Sequence, residues 1–115
     1  PTHLIHTAAI TQIADCERDP DLAHRMNTEV PVRLASQLAA VSPTAHFIHL
    51  STDLVFDGRK PGGFYREDDE HSPNPLSTYG ASKRTAETEL LALSARSVPS
   101  APVSIVRSAL IYGPP

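Results

Sequence analysis

Short apolar runs alternate along this chain with longer stretches in which apolar residues recur every three or four positions. The first run, "HLIHTAA", begins almost at residue 1 and reads as a strand. In "DPDLAHRMNTEVPVRLASQLAAV", which follows, Val30, Leu34, Leu38 and Val41 fall on one helical face, with Asp19 or Asp21 placed to cap it. Pro31 predicts a kink or restart there, because an interior proline lacks a donor and clashes with the carbonyl one turn back. "HFIHLST" reads as a second strand that ends in two hydroxyl residues. Beyond it lies the polar loop "DGRKPGGFYREDDEHSPNP", and then a helix predicted over about Thr78 to Ala95, rich in alanine, leucine and glutamate. "SVPSAP" ends that helix, and "VSIVRSALIYG" supplies a third strand rich in β-branched residues. The order strand, helix, strand, helix, strand predicts an α/β chain with a parallel sheet. No repeat at solenoid spacing interrupts it.

Composition narrows the class. With 115 residues, 40% hydrophobic and 20% charged, the chain suits one small soluble domain. Its net charge of -3 and scattered basic residues argue against nucleic acid as a partner. No apolar stretch approaches the roughly 20 residues that span a bilayer, and no basic-then-apolar leader opens the chain, so no membrane association is expected and the cytoplasm is the expected compartment. "REDDE" at Arg66 to Glu70 reads as a solvated loop. Cys16 reads as a packing residue, since Asp15 and Glu17 disfavour a thiolate. The spacings His3-x-x-His6 and His46-x-x-His49 place each pair on opposite sides of a strand, so no metal site is expected.

The chemistry-bearing residues gather around one helix start. Tyr79 and Lys83 are four residues apart, so on a helix they share a face about 5–6 Å apart. A nearby cation favours a phenolate, and a tyrosine so placed can donate a proton to a carbonyl oxygen that is gaining charge. The same spacing also describes an exposed pair with a solvated lysine. Ser51 and Thr52 fall where the second strand ends, on the side where ligands bind to open parallel sheets and where the next helix begins. A hydroxyl there equally suits a loop anchor.

Taken together, "STDLVFDG", "YREDDEHSPNPLSTYGASK" and "IVRSALIYG" resemble the extended short-chain dehydrogenase/reductase family, and within it dTDP-4-dehydrorhamnose reductases and their relatives. "HTAAIT" and "DCERDPDLAHRMN" stand in the order that family uses, so the resemblance covers nearly all of the chain. It implies the central βαβαβ portion of a Rossmann-like doubly wound parallel sheet, with residues 1–115 forming part of an NAD(P)-binding domain. It implies nucleotide-sugar metabolism, with reduction of a nucleotide-activated 4-keto sugar by NADP or NAD, NADP favoured. Tyr79 would protonate the substrate carbonyl, Lys83 would lower the phenol's pKa and hold the nicotinamide ribose, and the Thr52 hydroxyl would steady the substrate oxygen. Ala8, Ala9 and Ile10 would line the cofactor, Thr11, Ile13 and Asp53 would approach the sugar nucleotide, and Asn27 would take a structural asparagine's place. Leu54 stands where these reductases commonly carry an aromatic residue, which leaves the sugar open.

Two other classes fit the same resemblance: a non-catalytic subunit like the regulatory subunit of methionine adenosyltransferase, and a sugar-nucleotide epimerase or dehydratase. Gly58, Gly62, Gly63, Gly80 and Gly113 do not form the family's G-x-G-x-x-G turn. A fragment is therefore expected, with the phosphate-binding half preceding Pro1 and more of the substrate region following Pro115. Alone it is expected to bind nicotinamide dinucleotide weakly, and to form homo-oligomers through an unpaired edge of its first strand.

Overall fold

The computed structural model describes residues 1–67, 69, 73–96 and 101–109. Strand β1 (His3–His6) is followed by two short helices, α1 (Ile13–Arg18) and α2 (Pro20–His24). A π-helical turn over Arg25–Glu29 leads into α3 (Val30–Val41). Strand β2 (His46–Thr52) runs into a 3₁₀ turn, Asp53–Val55, and α4 (Thr78–Arg96) and β3 (Val103–Ser108) complete the order. All pairing is parallel, in the order β1-β2-β3, with His3 opposite His46, His6 opposite His49, and Phe47 to Thr52 opposite Val103 to Ser108.

The second strand and the start of the second long helix lie where the hydrophobic pattern puts them. Of the two capping candidates, Asp19 is the one that acts, accepting from Leu22 N at 2.9 Å. The restart at Pro31 takes a specific form. A proline at that position would press on the carbonyl of Asn27 in a regular α-helix. The π turn just before it widens the helix by one residue, with Val30 N–H bonding Arg25 O, and so moves that carbonyl aside. The first strand is shorter than its apolar run, and α1 has no counterpart in the expected elements. The third strand stops at Ser108, and the Leu110 to Gly113 part of its apolar run lies outside the described residues.

Phe47, His49 and Ser51 alternate onto one face of the sheet, and α3 and α4 cover it. Phe47 packs with Ala35, Leu38, Ala45 and Leu90, joined by Leu4, Val103 and Ile105. On the opposite face, Ile5 stays 63% exposed. The helices thus bury one face of the central strand and bring the first turn of α4 beside its carboxyl end. Cys16 is fully buried, and burial, then Asp15 and Glu17, pushes its thiol up. Among the described residues, no helix is long and apolar enough to cross a membrane.

Candidate active site

Strand β2 ends at Thr52, whose Oγ1 accepts from Leu54 N at 3.2 Å and so closes the 3₁₀ turn. Helix α4 is brought against that turn by two devices. Glu17 of α1 reaches across to its N-terminus, accepting from Thr78 N and from Thr78 Oγ1, both at 2.7 Å. These two bonds satisfy an orphan donor of the helix and hold Glu17 below its usual range. Gly80 supplies the second device, because a Cβ there would collide with Leu54 O and meet Pro75 Cβ at 3.0 Å. Only glycine lets the helix start lie so close.

The result is that Tyr79, half-buried, brings its phenol beside the Thr52 side chain. Burial pushes that phenol above its ordinary value of 10.0, against the lowering effect of Thr52, and Cys16 and Asp53 add to the rise. The lowering by Lys83 that the resemblance implies is therefore corrected by this geometry. Lys83 is directed inward, 3% exposed, with Nζ donating to Leu50 O at 2.5 Å and lying 3.2 Å from His49 Nε2. Desolvation lowers it to about 8, with Glu87 acting in the opposite sense. A phenol raised by burial stays protonated at neutral pH, which suits a proton donor. Thr52, Tyr79 and the Lys83 contacts all gather at the carboxyl end of β2.

The loop after β1 joins this group through Asn27. Its Oδ1 accepts from Ile10 N at 2.8 Å, while its Nδ2 donates to Ile10 O and to Ser82 Oγ, both at 3.0 Å. Thr28 adds a bond from Oγ1 to Ser82 O at 2.7 Å. Ala8, Ala9 and Ile10 are thereby tied to the turn of α4 that carries Tyr79 and Lys83. Ala8 is exposed, with Ala9 and Ile10 half-buried, so the small side chains of this loop leave open surface. An ammonium has three donors, and two of those on Lys83 are spent on Leu50 O and His49. The third, the open alanine surface and a protonated phenol fit the ribose and nicotinamide end of a dinucleotide.

Below Lys83 the same helix face carries Glu87, fully buried. It accepts from Ser51 Oγ at 2.6 Å, from Arg107 Nε at 2.9 Å and Nη2 at 2.7 Å, and from Arg84 Nη1 at 3.1 Å. A cavity of about 1060 Å³ opens beyond the 3₁₀ turn and is bordered by Ile13, Asp53, Leu54 and Arg107. Of the expected sugar-nucleotide residues it takes in Ile13 and Asp53. Thr11, exposed, and Thr52 are not on its wall, nor are Tyr79 and Lys83. His49, Glu87, Gly80 and Glu17 escaped the sequence reading. Glu87 had a signal, standing one turn beyond Lys83 on the same face, whereas nothing local marks Glu17 as the partner of a helix that starts 61 residues later.

A parallel sheet with its polar cluster at the carboxyl end of the central strand defines a Rossmann-like α/β protein. The chain belongs to the RmlD substrate binding domain family, whose profile matches residues 1–114. It is 38% identical over 113 residues to the dTDP-4-dehydrorhamnose reductase of Streptomyces griseus, covering 98% of this chain and 34% of that protein. A probable low-salt glycan biosynthesis reductase of Haloferax volcanii is 44% identical over 86 residues, 73% of this chain and 26% of its own length. Methionine adenosyltransferase 2 subunit beta of Bos taurus is 38% identical over 91 residues, 79% of this chain and 25% of its own. Among solved structures, dTDP-4-dehydrorhamnose reductase of Bacillus anthracis in complex with NADP superposes with a TM-score of 0.81 at 33% identity, covering 99% of this chain and 37% of that one. The chain thus spans about a quarter to a third of the length of these relatives.

Proposed function

We propose that the protein containing this chain is a short-chain dehydrogenase/reductase that reduces a nucleotide-activated 4-keto sugar of the dTDP-4-dehydrorhamnose type with NADPH. The chain contributes the central part of its cofactor-binding domain, in a soluble cytoplasmic protein. The observation that carries this reading is the Tyr79 phenol beside Thr52 at the carboxyl end of β2, with Lys83 one helical turn on. Bound NADPH supplies a hydride to the carbonyl carbon. Thr52 holds the carbonyl oxygen by its hydroxyl, and Tyr79 gives that oxygen its proton, so the carbonyl becomes an alcohol. The third donor of the Lys83 ammonium is directed to a ribose hydroxyl. Ala8, Ala9 and Ile10 form the wall beside the nicotinamide, while Ile13, Thr11 and Asp53 lie toward the sugar nucleotide.

The test is NADPH oxidation by the full-length protein with dTDP-4-dehydrorhamnose, and its loss in Tyr79→Phe. Because the phenolic proton acts as charge develops, the variant should lose roughly 10²–10⁴-fold in turnover while NADPH affinity changes little. A variant with full turnover would overturn the assignment. The similarity to methionine adenosyltransferase 2 subunit beta favours a second reading, a binding subunit without turnover of its own. Absence of NADPH oxidation with every 4-keto sugar nucleotide, together with co-purification of a methionine adenosyltransferase catalytic subunit, would establish that reading instead.

A further inference from the structure

Lys83 carries its charge to a place where it is 3% exposed. An ammonium stays charged there only if acceptors replace the water it has lost. Leu50 O is one such acceptor, at 2.5 Å, and His49 Nε2, at 3.2 Å, is the other. An imidazole nitrogen accepts only when it bears no proton, so an ammonium donating here requires a neutral His49 with its proton on Nδ1, a buried atom that has no hydrogen-bond partner among the described residues. Its surroundings enforce neutrality. His49 is fully buried, and burial, then the Lys83 ammonium and His6, depresses it to about 3, with Glu87 acting the other way. His6 of β1 stacks on it at 5.4 Å between ring centroids and is itself buried, its pKa lowered by burial and by Lys83. Lys83 and Glu87 from α4 and His6 from β1 are thus the titratable groups that face this ring.

We propose that His49 is the positioning residue for Lys83: its neutral imidazole accepts from the ammonium and holds it, charged, at the carboxyl end of β2 within one helical turn of Tyr79. Its use in reduction rests on the reductase reading, but the hydrogen bond does not. The pairing across strands contributes to this, because His6 stands directly opposite His49 and stacks on its ring.

Three readouts on the full-length protein decide the matter. In the wild type, ring ¹⁵N shifts should show His49 with a proton on Nδ1 only and no titration between about pH 5 and 9. The Lys83 ¹⁵Nζ signal should titrate near 8. In His49→Leu, which removes the acceptor, the ammonium-to-amine ratio should fall about tenfold, moving that titration down by about one pH unit. The high-pH limb of kcat/KM should move with it, whereas His49→Gln, which keeps an acceptor oxygen, should stay within about threefold of wild type. A proton on Nε2, a His49 charged at pH 6, or an unmoved Lys83 titration in His49→Leu would overturn the proposal. If His49→Leu does not fold, the wild-type ring spectrum and the Gln variant still decide it. A protein with no turnover whose spectra behave as stated would refute the reductase reading and leave the positioning of Lys83 intact.

Discussion

Replacing Glu87 by alanine should be among the most damaging single changes in this chain. Its carboxylate is fully buried and receives four donors from three residues: Ser51 at 2.6 Å, Arg107 at 2.9 and 2.7 Å, and Arg84 at 3.1 Å. Truncation leaves the Arg107 guanidinium, 21% exposed, and the buried Ser51 hydroxyl without their acceptor. Breaking a buried ion pair from one side costs about 3–5 kcal/mol, a large part of the roughly 5–15 kcal/mol that holds a domain together. In urea unfolding of the full-length protein, a slope of about 2 kcal/mol per molar places the loss at a midpoint shift of about 1.5–2.5 M. The double variant Glu87→Leu with Arg107→Met should recover much of this, since it removes the charge along with its partner. Acidity supplies an independent arm. Although burial pulls Glu87 up, bonds from Arg107, Ser51 and Arg84 outweigh it and its pKa is lowered. Its stabilisation is therefore complete above the ordinary glutamate value of 4.5 and is lost as pH falls through the lowered folded value. A Glu87→Ala shift below about 0.5 M with an unchanged slope would refute the reasoning.

Gly80→Ala should cost about 1–3 kcal/mol, the usual range for overpacking against a backbone that cannot move, because its Cβ meets Leu54 O and Pro75. Turnover should fall further than stability explains, since the same close approach sets the Tyr79–Thr52 contact; unfolding midpoint and kcat measured together would test this. Glu17→Ala should lower the thermal midpoint by uncapping α4. The gap from wild type should be full above pH 4.5, the ordinary glutamate value, and should close as pH falls through the lowered folded value, which melts recorded across that range would reveal.

The sheet was legible because strands and helices carry different periods, and β2 in particular spans the whole of its apolar run. Pro31 announced a break but not its form. Proline's clash is local, whereas the π turn that relieves it also places Asn27 against Ile10 and Ser82. The loop after β2 looked simply polar. Its order comes from contacts among residues that individually mark nothing: Tyr65 stacks on Phe56 at 4.4 Å and donates to Asp57 at 2.7 Å, while Arg107 of β3 lies over the Phe56 ring at 5.0 Å. Lys60 pairs with Asp69 within the charged run, so that part is not merely solvated. The meeting of Thr52 and Tyr79 at the end of β2 was legible from motif order, but the direction of the phenol's shift was not. It depends on where Nζ is directed once the chain is packed, and a spacing of four residues fixes only that the two side chains share a helix face.

That inner face of α4 is where pattern and chemistry part company. Lys83, Glu87 and Leu90 lie on it at helical spacing, all buried, so two of the three positions that a simple amphipathic reading fills with apolar residues are charged. A lysine and a glutamate one turn apart would ordinarily pair with each other, and pairing raises an ammonium's pKa. Here Glu87 is already satisfied by Arg107, Arg84 and Ser51, so its pull on Lys83 is outweighed by desolvation and the ammonium falls to about 8. Arg107 comes from β3 and Ser51 from β2, and their register opposite one another places both over the same helix turn. The sheet therefore takes the carboxylate away from Lys83 and offers it a carbonyl and a neutral imidazole instead. A full salt bridge would spend the positive charge inside the protein. Uncharged acceptors hold the ammonium at the carboxyl end of β2 without neutralising it, one helical turn from the phenol.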